Sequence, residues 1–156
     1  MLELETVDNP CLPGPHPAQV LVVEDNPHDS FLLMHAFREL DMPCECHAMT
    51  DGLEALEYLD RLECSADRTC PALLIVDLHL LKLSDYELLS AIRQRIHFED
   101  IPVVVWTGLS SPMDIELAYA YGAGLCVTKP AGLDEWMDLA RLLRLILKEC
   151  RPVLAD

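Results

Sequence analysis

The sequence has little positive charge: 11 Lys and Arg residues stand against 27 Asp and Glu residues, for a formal net charge of −16. Such a surface repels nucleic-acid phosphates and anionic lipids, so nucleic-acid binding is not expected. The chain also lacks an apolar run approaching the ~18 residues of a membrane-spanning helix. Residues 1–10 are acidic where a signal peptide is basic and apolar. The sequence therefore predicts a cytoplasmic protein without a membrane segment.

The seven cysteines have no spacing typical of disulfide frameworks or metal sites. An odd number without a compact repeat favours reduced thiols that serve as small core residues. Cys44, Cys46 and His47 are close together, but alternate residues of a strand face opposite sides and no second ligand cluster follows. No zinc site is predicted.

The length of 156 residues and the hydrophobic fraction of 51% predict one folded domain with a sizeable core. Residues 1–17 are rich in proline and predict an extended leader. We expect the domain to span 18–150 and to be followed by a short tail, 151–156. That tail is too short for an output domain, so none is predicted.

Short apolar runs alternate with segments of helical period, and no stretch repeats another. This order is typical of βαβ units, in which parallel strands are covered by helices. The strands are predicted at 19–23, 44–49, 72–76, 101–106 and 125–128. Helices are predicted from Pro27 to before Pro43, after Asp51, after Ser84, from Pro112, and over 133–148. The fold class is therefore α/β, a doubly wound five-stranded parallel sheet with five helices.

Polar side chains follow four of the predicted strands where those strands end, which is where open α/β sheets bind ligands. They are Glu24 and Asp25, then Asp77, then Thr107 and Gly108, and finally Lys129. Each residue alone is common at the end of a strand, but together they place three carboxylates, a hydroxyl and an ammonium at one edge. Carboxylates a few ångströms apart repel by roughly several kcal/mol unless a cation lies among them. Oxygen ligands at a solvated edge suit magnesium, so the sequence predicts an Mg²⁺ pocket.

Over about residues 18–148, the sequence resembles the receiver domain of bacterial two-component response regulators. The resemblance is carried by Val22-Val23-Glu24-Asp25-Asn26, Ile75-Val76-Asp77-Leu78, Trp106-Thr107-Gly108 and Thr128-Lys129-Pro130. The Glu-Asp-Asn-Pro start and the run Asp51-Gly52-x-Glu54-Ala55-Leu56 are most similar to stand-alone regulators associated with phytochrome-type kinases. The resemblance implies a flavodoxin-like (βα)5 fold with strand order 2-1-3-4-5.

The resemblance also implies a role for each residue of the pocket. Asp77 would accept a phosphoryl group from a kinase histidine. Mg²⁺ would be bound by Asp25, Asp77 and the backbone carbonyl of His79, and by Glu24 through water. Lys129 would pair with Asp77 and then with the phosphoryl oxygens, Thr107 would donate its hydroxyl to them, and Gly108 would leave space beside them. The chain would then be a phospho-acceptor and not a turnover enzyme, with a sensor histidine kinase, of phytochrome type, as its partner.

The sequence departs from the family pattern at three positions. Leu81 and Asp85 stand where the family usually has proline and glycine, four and eight residues after the acceptor. Cys126 stands where an aromatic switch residue is usual, three positions before the lysine. These departures leave the phosphorylation chemistry intact and leave open how phosphorylation is read out. They also keep open a second hypothesis, a receiver-fold binding module that no longer takes phosphate.

Two further classes are disfavoured by particular residues. A small aspartate-nucleophile phosphatase favours a second acid two residues after its nucleophile, and His79 stands there. A flavin would place its phosphate at the first loop, where Glu24-Asp25-Asn26-Pro27 would repel it.

The last predicted helix carries more leucine than one buried face requires. Its stripe of Leu133, Trp136, Ala140, Leu143 and Leu147 is expected to cover the sheet. Leu142 and Leu145 project away from that stripe, although single exposed leucines are common on protein surfaces. With no output domain expected, they predict a contact face for a homodimer or another partner. That face would include the fourth and fifth helices and the edge strand that holds Cys126.

Overall fold

The computed structural model describes residues 18–63, 71–77, 84–94, 101–108 and 111–150. In these ranges the chain alternates between five strands and five helices. The strands are β1 (Ala18–Val23), β2 (Cys44–Met49), β3 (Leu73–Asp77), β4 (Val103–Thr107) and β5 (Leu125–Thr128). The helices are α1 (Pro27–Glu39), α2 (Gly52–Glu63), α3 (Ser84–Gln94), α4 (Pro112–Ala120) and α5 (Leu133–Cys150). The predicted α/β class is confirmed, with strand ends shifted by one or two residues.

The five strands form one parallel sheet in the order β2-β1-β3-β4-β5, as predicted. Every pair is parallel, with Val22 beside Ile75 and Val105 beside Cys126 as examples of the register. The three inner strands are buried almost throughout, whereas β2 and β5 are partly exposed. The continuous apolar sequence of β1, β3 and β4 follows from this position, because strands covered by helices on both faces have no solvent side.

Two layers of helices cover the sheet. The side chains that α1 and α5 bury share a core with alternate residues of the strands, and this core contains the edge-to-face contact of Trp106 with Trp136 at 5.6 Å between ring centroids. The other core receives side chains from α2, α3 and α4. Because successive strand residues point to opposite faces, each inner strand contributes to both cores.

Local polar contacts begin the helices where the sequence indicates. Asn26 Oδ1 accepts a hydrogen bond from the His28 N–H at 3.0 Å before α1, and Asp51 Oδ1 accepts one from the Glu54 N–H at 2.8 Å at the start of α2. Ser111 and Asp114 form a reciprocal capping box at α4. These contacts satisfy backbone donors that the first turn of a helix leaves unpaired.

Arg93, near the end of α3, links the segments that precede β4 and β5. Its guanidinium donates to the Ile101 carbonyl at 2.7 Å and, through Nε at 2.9 Å, to the Gly122 carbonyl. Gly122 has a φ of 113°, and a Cβ at this position would approach Arg93 Cγ to 2.6 Å. Both the backbone conformation and the packing therefore require glycine here.

One prediction about α5 is wrong. Leu133 is 57% exposed, whereas Trp136, Ala140, Leu143 and Leu147 are buried as expected, and Leu139 joins them. Leu133 is the first residue of the helix, and its Cβ points back toward the helix N-terminus, beyond the neighbouring turn. The helix also continues two residues past the predicted end, to Cys150.

Some predictions lie outside the described residues. They are the leader 1–17, the tail 151–156, His79 and Leu81, together with the side chain of Asp85. None of the described helices is both long and apolar enough to cross a membrane.

Candidate functional site

The polar residues that follow the strands meet at one edge of the sheet, because the carboxyl ends of parallel strands share that edge. Glu24 follows β1 directly, Asp77 is the last residue of β3, and Thr107 is the last residue of β4. All three are buried, at 2%, 2% and 4% exposure. Asp25, the next residue after Glu24, is exposed. The edge therefore has a buried floor with one carboxylate facing solvent.

Glu24, Asp25 and Asp77 form an acidic cluster in which one oxygen from each lies within 4.8 Å of the others. Within the described part of the chain, no other group of three His, Cys, Asp or Glu side chains brings ligand atoms this close. An all-oxygen donor set with a solvent-facing side is the kind of site that a hard divalent cation such as Mg²⁺ prefers.

Cys44, Cys46 and His47 do not join in a metal site. The ring of His47 lies 5.8 Å from the ring of Tyr58 on α2, whereas the two cysteines pack against the core on the other side of the sheet. This is the alternation that the sequence predicts for a strand.

Lys129, after β5, brings its ammonium to three carboxylates at once. Nζ lies 3.0 Å from Asp77 Oδ2, 3.0 Å from Glu24 Oε2 and 3.0 Å from Asp29 Oδ2. It also lies 5.6 Å from the centroid of the Trp106 ring. The backbone N–H of Lys129 donates to the Thr107 carbonyl at 2.7 Å, which fixes the base of the side chain beside β4. The Lys129 side chain is therefore held at its base by the backbone hydrogen bond and at its ammonium by the three carboxylates.

The protonation of the site follows from burial and from these contacts. Burial raises the pKa of Glu24 to about 8; the Lys129 ammonium opposes this shift and the neighbouring Asp77 adds to it. Burial alone would lower the pKa of Lys129, but hydrogen bonds to Asp77, Glu24 and Asp29 outweigh it and hold the pKa above its ordinary value. Without a metal, these contacts keep Lys129 charged at neutral pH, and burial favours the protonated form of Glu24.

The remaining predicted site residues lie around this cluster or on the outer edge of the sheet. A Cβ added at Gly108 would have no heavy atom of the described residues within 4 Å. Cys126 is partly buried on β5, and its N–H donates to the hydroxyl of Tyr119 on α4 at 3.0 Å. Leu142 and Leu145 on α5 are 38% and 58% exposed.

Sequence reasoning missed Asp29 and Tyr119. An acid in the first turn of a helix is ordinarily explained by the helix dipole, so Asp29 gives no separate signal. The contact of Tyr119 with the edge of β5 depends on a side-chain direction that periodicity does not give. The placement of Asp29 after the two strand-end acids was the one available hint.

A parallel sheet of this order, with an acidic cluster and a lysine at its carboxyl edge, defines a doubly wound protein with a candidate divalent-metal pocket. The chain belongs to the response regulator receiver domain family, whose family model matches residues 20–141. This membership confirms the resemblance seen in the sequence motifs.

Curated relatives and solved structures agree with this assignment. The chain is 34% identical over 119 residues to the probable methanogenesis regulatory protein FilR2 of Methanothrix harundinacea, covering 76% of each chain. It is 29% identical over 125 residues to response regulator Rcp1 of Synechocystis, covering 80% of this chain and 85% of Rcp1.

Two solved structures are also similar to this chain. Mn²⁺-bound Rcp1 has a TM-score of 0.70 at 28% identity, covering 81% of this chain and 91% of that one. The phosphorylated cyanobacterial phytochrome response regulator RcpA has a TM-score of 0.73 at 26% identity, covering 90% and 99%.

Proposed function

We propose that this chain is a phospho-accepting receiver in which Asp77 takes a phosphoryl group from a sensor histidine kinase. One observation carries the proposal: the buried Asp77 carboxylate has the Lys129 ammonium 3.0 Å away and belongs to the acidic cluster with Glu24 and Asp25. Phosphoryl transfer depends mainly on positioning and on stabilising negative charge, and this arrangement supplies both. The chain accepts and releases a phosphoryl group as a signal and is not a turnover enzyme.

Mg²⁺ is the cation that we assign to the pocket. Asp25 and Asp77 would hold it together with the backbone carbonyl of His79, which lies outside the described residues, and Glu24 would contribute through water. The oxygen donor set supports this assignment. When bound, the cation would supply positive charge that stabilises the transferring phosphoryl group.

Asp77, Lys129 and Thr107 each have a separate role in the transfer. A carboxylate oxygen of Asp77 attacks the phosphorus of the kinase phosphohistidine; the phosphorus–nitrogen bond breaks, and its electron pair stays with the imidazole nitrogen. The Lys129 ammonium and the Thr107 hydroxyl donate hydrogen bonds to phosphoryl oxygens as negative charge builds on them. Gly108, which has no side chain, would leave room beside those oxygens.

The phytochrome-type kinase remains the partner that we propose. Similarity to RcpA, which is described as a cyanobacterial phytochrome response regulator, and to Rcp1 supports it. Output is proposed to be by association, either with a second copy or with another protein, through α4, α5 and β5. The exposure of Leu142 and Leu145 supports such a face.

Cys126 remains the proposed position at which phosphorylation is sensed on β5. Its N–H contacts Tyr119, so an aromatic side chain does reach this position, but from α4 and not from β5 itself. A shift of Thr107 toward a phosphoryl group would be passed to Cys126 through the neighbouring strand and from there to α4.

Intact mass after incubation with acetyl phosphate and Mg²⁺ tests the proposal. We expect wild type and Asp138→Asn, a matched change at an exposed aspartate of α5, to gain one phosphoryl group that hydroxylamine removes. Asp77→Asn should gain none. Equal labelling of Asp77→Asn and wild type would contradict the assignment of Asp77.

No labelling of wild type by acetyl phosphate or by a phosphorylated kinase would contradict the proposal as a whole. That result would favour the second hypothesis, a receiver-fold binding module that takes no phosphate.

A further inference from the structure

Lys129 has more acidic partners than phosphoryl transfer alone requires. An ammonium has three N–H donors, and here three carboxylates each lie 3.0 Å from Nζ. Glu24 and Asp77 come from the strand ends of the acidic cluster. The third partner, Asp29, comes from the first turn of α1, 100 residues before the lysine.

Asp29 differs from the other two partners in what else it does. It is not a member of the acidic cluster of Glu24, Asp25 and Asp77, whose oxygens lie within 4.8 Å of one another. In the described structure its recorded side-chain contact is the one with Lys129. Its side chain is 17% exposed, against 0% for Glu24 and 2% for Asp77. Asp29 can therefore keep its contact with Lys129 when Glu24 and Asp77 bind a metal ion or a phosphoryl group.

The backbone that carries Asp29 is held firmly. Asn26 caps the helix through the His28 N–H at 3.0 Å, and Pro27 opens the helix. Leu33 and Ala36, further along α1, are fully buried against the sheet. A carboxylate on the first turn of such a helix has little freedom to move, whereas the long lysine side chain loses rotamer freedom when it is ordered.

We propose that Asp29 is a positioning residue that keeps the Lys129 ammonium in the site while Asp77 carries a phosphoryl group. The inference rests on the proposed function. Once Asp77 is an acyl phosphate, its carboxylate charge is no longer available to Lys129. Asp29 then prevents the ammonium from turning into solvent, so that Nζ stays where it can donate to a phosphoryl oxygen.

The test separates binding of the metal from binding of the phosphoryl group. Both tryptophans of the chain lie in the Trp106–Trp136 contact, and Trp106 faces Lys129, so intrinsic fluorescence reports on this site. In Asp29→Ala we expect Mg²⁺ affinity within about twofold of wild type and beryllofluoride affinity lowered about tenfold, as for loss of a charge-assisted hydrogen bond. Asp29→Asn, which keeps an oxygen acceptor, should fall between Asp29→Ala and wild type. Glu39→Ala removes an exposed carboxylate from the same helix and should behave as wild type.

A second readout needs neither metal nor phosphate. In metal-free protein, acetic anhydride should modify Lys129 several-fold faster in Asp29→Ala than in wild type or Glu39→Ala, as measured by peptide mass. Circular dichroism of Asp29→Ala and Asp29→Asn checks that both variants fold; if Asp29→Ala does not, Asp29→Asn carries both measurements.

The outcomes distinguish this inference from the proposed function. If Asp77 is labelled normally but Asp29→Ala matches Glu39→Ala in both readouts, the inference fails and the proposed function stands. Tighter beryllofluoride binding in Asp29→Ala would also overturn it, because Asp29 would then compete with the phosphoryl group for the lysine. If wild type takes no phosphate, the proposed function fails, and the lysine modification rates still decide whether Asp29 holds Lys129.

Discussion

The inner strands and the edge strand β5 supply the site with different kinds of residue. β1, β3 and β4 are buried throughout their last residues and deliver Glu24, Asp77 and Thr107, which are nearly inaccessible. β5 has one neighbouring strand, is partly exposed along its length, and delivers Lys129 and Cys126. The nearly inaccessible groups of the site therefore come from strands with a neighbour on each side, and the more exposed positions come from a strand at the edge of the described sheet.

The same division continues in α5, whose two faces allow the sharpest test. Leu143 is fully buried against the inner strands, whereas Leu145 is 58% exposed. We expect Leu143→Ala to lower the free energy of unfolding by about 2–5 kcal/mol, because it leaves a cavity in a packed core. Leu145→Ala should stay within about 0.5 kcal/mol of wild type. Urea unfolding of the metal-free protein followed by circular dichroism measures both.

Similar losses in the two variants would mean that the outer face of α5 is covered in solution, and the contrast between the inner and outer parts would not hold.

The second prediction concerns the cost of burying Glu24 without a metal. Its pKa is about 8 in the folded protein against an ordinary 4.5, so the folded state binds more protons than the unfolded state between these two values. The contribution of Glu24 to stability is therefore complete below pH 4.5 and is lost as pH rises toward 8. At about 1.4 kcal/mol per pKa unit, the loss is on the order of a few kcal/mol.

Glu24→Gln should flatten this dependence in the metal-free protein, because glutamine keeps the shape and does not titrate. The measurement is the thermal unfolding midpoint at roughly pH 5, 6, 7 and 8, which spans the range between the two pKa values of Glu24. Glu57→Gln, on α2, is the control. A slope unchanged by Glu24→Gln would show that burial of this carboxylate is not what sets the pH dependence.

The third prediction concerns the one exposed member of the acidic cluster. Asp25→Ala should lower Mg²⁺ affinity at least about tenfold, since it removes a carboxylate ligand from a site with few of them. It should also raise the stability of the metal-free protein, because it relieves the repulsion between the carboxylates of Asp25 and Asp77. Mg²⁺ titrations followed by tryptophan fluorescence and unfolding without metal test the two halves separately.

Glu57→Ala, at an exposed position of α2, is a matched loss of one negative charge outside the cluster. Undiminished Mg²⁺ affinity in Asp25→Ala would count against the metal site.

The sequence predicted the inner part of the molecule better than its edge. The continuous apolar runs at β1, β3 and β4 predict buried strands of a parallel sheet. The residues that follow these strands lie close together because the carboxyl ends of parallel strands share one edge of the sheet. The contact of Asp29 with Lys129 joins residues 100 positions apart through side-chain directions, which periodicity does not encode. The contact of Tyr119 with Cys126 was missed for the same reason, and Leu133 was misplaced because a helical stripe does not show where the sheet beneath it stops.

The smallest expected effect on the fold is at the proposed contact face, where Leu142→Glu and Leu145→Glu are combined. Both side chains are exposed, so we expect stability and phosphorylation of Asp77 to stay as in wild type while association weakens. Light scattering with and without beryllofluoride measures self-association. Leu53→Glu, at a leucine of α2 that is 62% exposed, controls for adding charge at an exposed leucine.

A wild type that stays monomeric in both states would contradict the homodimer hypothesis. Kinase or target binding that the double variant leaves unaltered would contradict the proposed contact face. An effect seen only with beryllofluoride would place the response at β5 and its neighbouring helices, as expected if the edge strand transmits what the inner strands bind.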